Sequence, residues 1–290
     1  MFAIVECVGL KVFSDRVMRA ARFVAYVFCL GGLFFLVACG DQESERPRLD
    51  AVSEPHRLEY ELVGTAPHDT AASTQGLLLH EGVYYESTGG YGTSSLRRVD
   101  PESGEVLKRY DLPASLYGEG LALREDRLYQ LEWKGGKGFI YDRETFQRVG
   151  EFRYRGQGWG LAWDGEHFIL SDGSAVLRFH EPKYFDLVRS VEVRNHLGEV
   201  DLLNELEFVD GKIFANRWFQ DEILVIDPAN GHVEATLNLA ALERPRPRDR
   251  ESVLNGIAYD QATGLLHVTG KNWPRMYILR LLESSDPVPQ

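Results

Sequence analysis

A short pattern recurs along the chain: a polar or aromatic residue, then in most copies glycine, then leucine or isoleucine. It reads Gln75-Gly76-Leu77, Glu119-Gly120-Leu121, Trp159-Gly160-Leu161, Asn204-Glu205-Leu206 and Asn255-Gly256-Ile257, with leading residues 44, 40, 45 and 51 positions apart. A second set follows each leader by 11 to 16 residues: Glu86, Trp133, Asp172, Trp218 and Lys271. Brought together, amides, indoles, carboxylates and one lysine make a small-molecule pocket, with aromatic walls and a few fixed polar groups. A glutamate beside Trp133 and Trp159 is desolvated, which raises its pKa toward neutrality, where one group can both take and return a proton. Lys271 can stabilise negative charge developing on an oxygen. Gln75 and Asn204 can hold a carboxamide or carbonyl through paired donors and acceptors. The competing reading is that these groups only satisfy channel water and open backbone.

Convergence requires an architecture that repeats every 40 to 50 residues, as propellers do. Each copy is followed by a turn and a second apolar run: His80-Glu81-Gly82 then Val83-Tyr84-Tyr85, Asp164-Gly165-Glu166 then Phe168-Ile169-Leu170, Val209-Asp210-Gly211 then Ile213-Phe214-Ala215. Third runs follow at 96–100, 138–142, 176–179 and 223–227, and fourth runs close several units, as at 106–110 and 233–237. Asp-Pro and Gly-containing turns such as 100–104 and 227–231 separate them. Four strands per unit and five units predict an all-β, five-bladed β-propeller. In a propeller the innermost strands line the central channel, so the leading residues form a ring there.

The first 39 residues leave the fold argument. Lys11, Arg16, Arg19 and Arg22 precede an uncharged run from Phe23 to Ala38, which is too short for a comfortable bilayer span, and the run ends in Leu36-Val37-Ala38-Cys39. That ending resembles the lipobox of bacterial lipoproteins, so residues 1–39 are expected to be a signal peptide and Cys39 the lipidated anchor. Met18 is an alternative start. Residues 40–56 are polar and aperiodic and read as a tether, 57–283 as the propeller, and 284–290 as a tail. The expected location is the bacterial cell envelope, facing the periplasm, with the membrane reached through the lipid only. Gly40 after the cysteine favours the outer over the inner membrane.

Without residues 1–39 the chain carries 28 Lys and Arg against 42 Asp and Glu. Such an acidic chain lacks the basic stripe a nucleic-acid partner needs. Cys7, Cys29 and Cys39 are the only cysteines and have no zinc-type spacing. No cofactor is required by the chemistry above, and no metal ligand set is assigned.

Several blocks resemble the signature stretches of the plant and bacterial glutaminyl-peptide cyclotransferases. They are Thr74-Gln75-Gly76-Leu77, Tyr85-Glu86-Ser87-Thr88-Gly89, Tyr91 to Arg97, Tyr117-Gly118-Glu119-Gly120-Leu121, Leu203 to Glu207, Leu254 to Ala258 and Val268 to Pro274. The likeness runs from about Leu58 to Leu281. It implies a five-bladed propeller that converts an N-terminal glutamine of a peptide or protein to pyroglutamate and releases ammonia. Glu119 then matches the proton-shuttling glutamate, and Lys271, Gln75 and Asn204 the polar substrate-binding and oxyanion-stabilising positions. Trp133, Trp159 and Trp218 match the aromatic walls. Tyr117 stands where Phe is common. Ser73 stands where the family usually has Phe, a departure expected to open one wall. Some family members bind calcium in the channel, and the residues leave that open here. Glu86 is read as a supporting residue, Asp172 as a turn cap, and His68 and His196 as isolated structural histidines. The alternative function is a non-catalytic periplasmic propeller lipoprotein that binds peptides or envelope proteins.

Overall fold

The computed structural model describes residues 52–242 and 250–282. The expected leader, Cys39, most of the tether and the 284–290 tail lie outside the described residues. No helix occurs among the described residues.

Five four-stranded antiparallel blades follow one another along the chain. Blade 1 comprises Thr74–His80, Val83–Thr88, Ser95–Val99 and Val106–Asp111. Blade 2 comprises Gly118–Arg124, Arg127–Glu132, Lys137–Asp142 and Arg148–Arg153. Blade 3 comprises Leu161–Trp163, Phe168–Leu170, Val176–His180 and Leu187–Glu192. Blade 4 comprises Leu203–Val209, Lys212–Arg217, Glu222–Ile226 and Val233–Asn238. The tight turns follow from local chemistry. Glu81 and Gly82, and likewise Asp210 and Gly211, adopt positive φ between paired strand ends, the geometry of two-residue hairpins whose twist matches the strands.

Blade 5 is built from both ends of the fold. Leu254–Asp260, Leu265–Gly270 and Arg275–Leu281 supply three strands, and Tyr60–Pro67 supplies the outer one, antiparallel to Arg275–Leu281. The preceding His56–Leu58 adds a parallel strand to the outer edge of blade 4. Among the described residues, strand structure therefore begins at the last residue expected to be tether. Closing the ring in this way leaves no blade without its edge strand.

The core consists of five apolar clusters, each between consecutive blades. Leu78, Tyr85 and Leu96 of blade 1 meet Leu121, Leu128 and Phe139 of blade 2. Ala258 and Met276 of blade 5 meet Leu77 and Tyr84 of blade 1 across the seam. Face-to-face packing of this kind buries the alternating apolar residues of every inner and second strand and holds the inner strands close around the axis. The approach is tight: a Cβ on Gly76 would lie 2.5 Å from Leu121 N, and one on Gly120 2.5 Å from Leu161 N. Only glycine fits there. Blade 4 has Glu205 at the equivalent place, and its buried carboxylate accepts from Leu77 N at 3.3 Å and Ile257 N at 2.9 Å. Glu205 thus satisfies open backbone donors of blades 1 and 5.

Candidate active site

Each of four inner strands is irregular at one point. The register with the second strand slips between Thr74 and Gly76, Gly118 and Leu121, Leu203 and Leu206, and Leu254 and Ile257. These irregularities fall on Gln75, Glu119, Asn204 and Asn255. A bulge leaves residues out of the ladder and re-aims their side chains, so each leading residue can depart from the alternation of its blade. In blade 3 the strand starts only at Leu161, and Trp159 is held by its backbone, donating to Ser171 O at 2.9 Å and accepting from Gly120 N at 2.8 Å.

Gln75, Tyr117, Glu119, Trp133, Trp159, Asn204, Trp218 and Lys271 line one cavity of about 160 Å³ that opens to solvent. All eight residues expected to act on a substrate therefore meet. Glu251 joins them at the rim. Glu119 is 5% exposed and Lys271 8%. Burial pushes the Glu119 carboxyl well above the usual carboxylate range; Lys271 opposes this and Glu132 reinforces it. Glu119 can therefore hold a proton at pH values where an exposed glutamate has lost it. Burial lowers the Lys271 ammonium, against the attraction of Glu119 and Glu251.

The amide of Gln75 is held at both ends. Its Nε2 donates to Tyr117 Oη at 3.1 Å, and its Oε1 lies 3.4 Å from the Asn255 Nδ2, which also donates to Thr74 O at 2.9 Å. Burial pushes the Tyr117 hydroxyl above the ordinary phenol range. Tyr117 packs against Trp133 with centroids 5.3 Å apart, and Trp159 meets Trp218 edge-on at 5.2 Å. Gln157 Oε1 accepts from both Trp133 Nε1 at 2.8 Å and Trp159 Nε1 at 3.1 Å, so one exposed amide orients two walls. The Lys271 Nζ sits 5.9 Å from the Trp218 ring centre.

Other residues singled out from the sequence lie elsewhere. Asn255 is fully buried behind Gln75 and does not line the cavity. Asp172 caps its turn, accepting from Ser174 N and Oγ and from Arg178. His196 lies in an exposed turn. Glu86 is buried away from the cavity in an ion pair with His68, so His68 is not isolated as expected. Glu251 and Glu132 stand outside the leading positions of the repeat and carried no signal in it, whereas Gln157 stands two residues before Trp159 as Tyr117 does before Glu119, a spacing that could have found it. Among the described residues, no three His, Cys, Asp or Glu side chains converge as a metal-ligand set.

Comparison with known proteins gives one picture. A family model described as glutamine cyclotransferase matches residues 34–281. A glutaminyl-peptide cyclotransferase of Arabidopsis thaliana is 38% identical over 259 residues, covering 87% of this chain and 80% of that relative. The crystal structure of the Myxococcus xanthus glutaminyl cyclase superimposes with a TM-score of 0.73 at 40% identity, covering 79% of this chain and 98% of that one.

Proposed function

The chain belongs to the glutamine cyclotransferase family, and on that premise we propose that it cyclises the N-terminal glutamine of a peptide or protein to pyroglutamate, acting as an aminoacyltransferase. In the reaction the substrate α-amine attacks the γ-carboxamide carbon; one C–N bond forms, the original C–N bond breaks, and ammonia leaves.

The observation that carries this reading is a buried carboxyl and a buried ammonium, Glu119 and Lys271, in one aromatic cavity. Glu119 takes the proton from the attacking amine and returns it to the departing nitrogen. Its raised pKa suits both halves of that transfer, since a proton held too weakly could not be returned. Lys271 faces the charge that develops on the carboxamide oxygen. Gln75, fixed by Tyr117 and Asn255, and Asn204 bind the carboxamide and carbonyl groups. The indoles of Trp133, Trp159 and Trp218 exclude water around the reacting carbons. The chemistry so described uses no cofactor. The location proposed is the cell envelope, with Cys39 as the lipid anchor.

Ammonia release from a Gln-Xaa dipeptide tests the assignment. Replacement Glu119→Gln keeps the shape but cannot accept the proton, and kcat is expected to fall about 10²- to 10⁴-fold. Unchanged turnover would remove Glu119 from the mechanism. A propeller that only binds peptides would show no turnover in the parent protein.

A further inference from the structure

A charged cluster is buried at the seam where blade 5 meets blade 1. The side chains of His68, Glu86 and Arg97 are only 6%, 3% and 2% exposed. His68 Nδ1 lies 2.6 Å from the carbonyl oxygen of Trp273, and Nε2 lies 3.0 Å from Glu86 Oε1. A carbonyl oxygen and a carboxylate oxygen only accept, so both ring nitrogens must donate, and only the imidazolium has two N–H groups. Glu86 Oε1 also accepts from Thr74 Oγ1 at 2.7 Å. Arg97 stands behind Glu86 at 3.9 Å and bonds Asp69 at 2.7 Å and Ser95 Oγ at 2.8 Å. The charged groups around His68 are thus Glu86 from the second strand of blade 1, Arg97 from its third, and Asp69 from the loop that carries His68. Blade 5 presents backbone carbonyl.

Two residues of this cluster are chain neighbours of the proposed site. Thr74 adjoins Gln75, and Trp273 lies two residues beyond Lys271. Backbone bonds from His68 N to Pro274 O at 3.0 Å and from Asn272 N to Ala72 O at 2.7 Å run alongside. We propose that His68, as an imidazolium held by Glu86, is a positioning residue that sets the spacing across the seam between Gln75 on blade 1 and Lys271 on blade 5. The inference rests on the roles given above to those two residues. Burial alone would lower the imidazole, but Glu86 beside it holds it above its ordinary value, and His68 and Arg97 hold Glu86 below its own against the same burial. As pH rises through that raised value one donor is lost, and the seam loses either Trp273 or Glu86.

The test has two arms. Nitrogen-15 spectra of the histidine rings in the full protein read the protonation of His68 directly, without reference to activity. At about pH 7 both His68 nitrogens are expected to carry protons, whereas an unperturbed histidine would be mostly neutral. In parallel, kcat and KM for ammonia release are measured for the parent and for His68→Gln from about pH 6 to about pH 9. A geometric fault near the chemistry predicts kcat lower by about tenfold or more with KM within about twofold, and a parent alkaline limb that follows the His68 titration. A neutral His68 ring at pH 7 would overturn the proposal, as would a variant that melts lower but keeps the parent kcat at every pH. Should His68→Gln not fold, Glu86→Gln is read the same way: His68 should lose its second proton and kcat should fall, and a retained kcat refutes the role. Loss of turnover in Glu119→Gln is decided separately, so a failure of the catalytic reading is not confused with a failure here.

Discussion

Glu207 sits on the same inner strand as Glu205, near the opposite end of the channel, and its replacement by glutamine should make the protein more stable at alkaline pH. Its Oε1 accepts from Tyr259 N at 3.2 Å, and burial pushes its pKa up from 4.5 to about 8. A carboxyl raised in the folded state is neutral when folded and ionised when unfolded between those two values. Its stabilising effect is therefore complete below 4.5 and is lost as pH climbs toward 8. At 1.36 kcal/mol per unit, that gap corresponds to roughly 4 kcal/mol by pH 8 and under about 1 kcal/mol at pH 5. Glu207 is only half-buried and lines an opening beside Tyr259 and Gln261. Solvent screening reduces the larger figure to about 2 kcal/mol. Glutamine keeps the acceptor for Tyr259 N and carries no charge at any pH. For a domain of this size the Glu207→Gln melting temperature should exceed the parent's by about 4–8 °C at pH 8, and by no more than about 2 °C at pH 5. Calorimetry at the two pH values measures both. An equal shift at both, or a variant less stable at pH 8, would refute the assignment of the burial cost to this carboxyl.

Two further changes address the cavity. Tyr117→Phe removes the hydroxyl that receives Gln75; losing such a hydrogen bond costs about 0.5–1.5 kcal/mol, so kcat/KM should fall roughly three- to tenfold in the ammonia assay, and an unchanged value would show that Gln75 needs no clamp. Gln157→Ala frees two indole N–H groups at the exposed rim; KM should rise about two- to fivefold with kcat nearly constant, because the walls loosen while Glu119 and Lys271 stay in place.

The repeat made the number of blades and the lining of the cavity legible, because the same chain position in each unit must reach the axis. It did not show how those side chains reach it. The bulges at Gln75, Glu119 and Asn204 are departures from ladder pairing, and such departures depend on partner strands rather than on local sequence. Glu205 was counted as a copy of the pattern, yet its carboxylate does what the glycines cannot, reaching the backbone of two other blades. The outer strand of blade 5 was also not visible. For the fifth repeat neither a third nor a fourth run was read; the third is Arg275–Leu281, and the fourth, Tyr60–Pro67, pairs with it across more than 200 positions. His68 was read as isolated for the same reason: Trp273 is 205 positions distant, and nothing in the neighbourhood of His68 announces it.

That closure also has a consequence in time. Of the described strands, Tyr60–Pro67 is among the first to be made and Arg275–Leu281 the last, so the blade they share cannot exist until almost the whole propeller sequence is available. Pairing at such separation carries a large loop-closure cost and is slow. Gln75 and Lys271 stand on either side of the join, so a chain made only as far as Asn238 has four blades and lacks the lysine that lines the cavity. On the roles proposed for those two residues, turnover of an N-terminal glutamine is expected only after the final strand has paired, and so would report that the ring has closed.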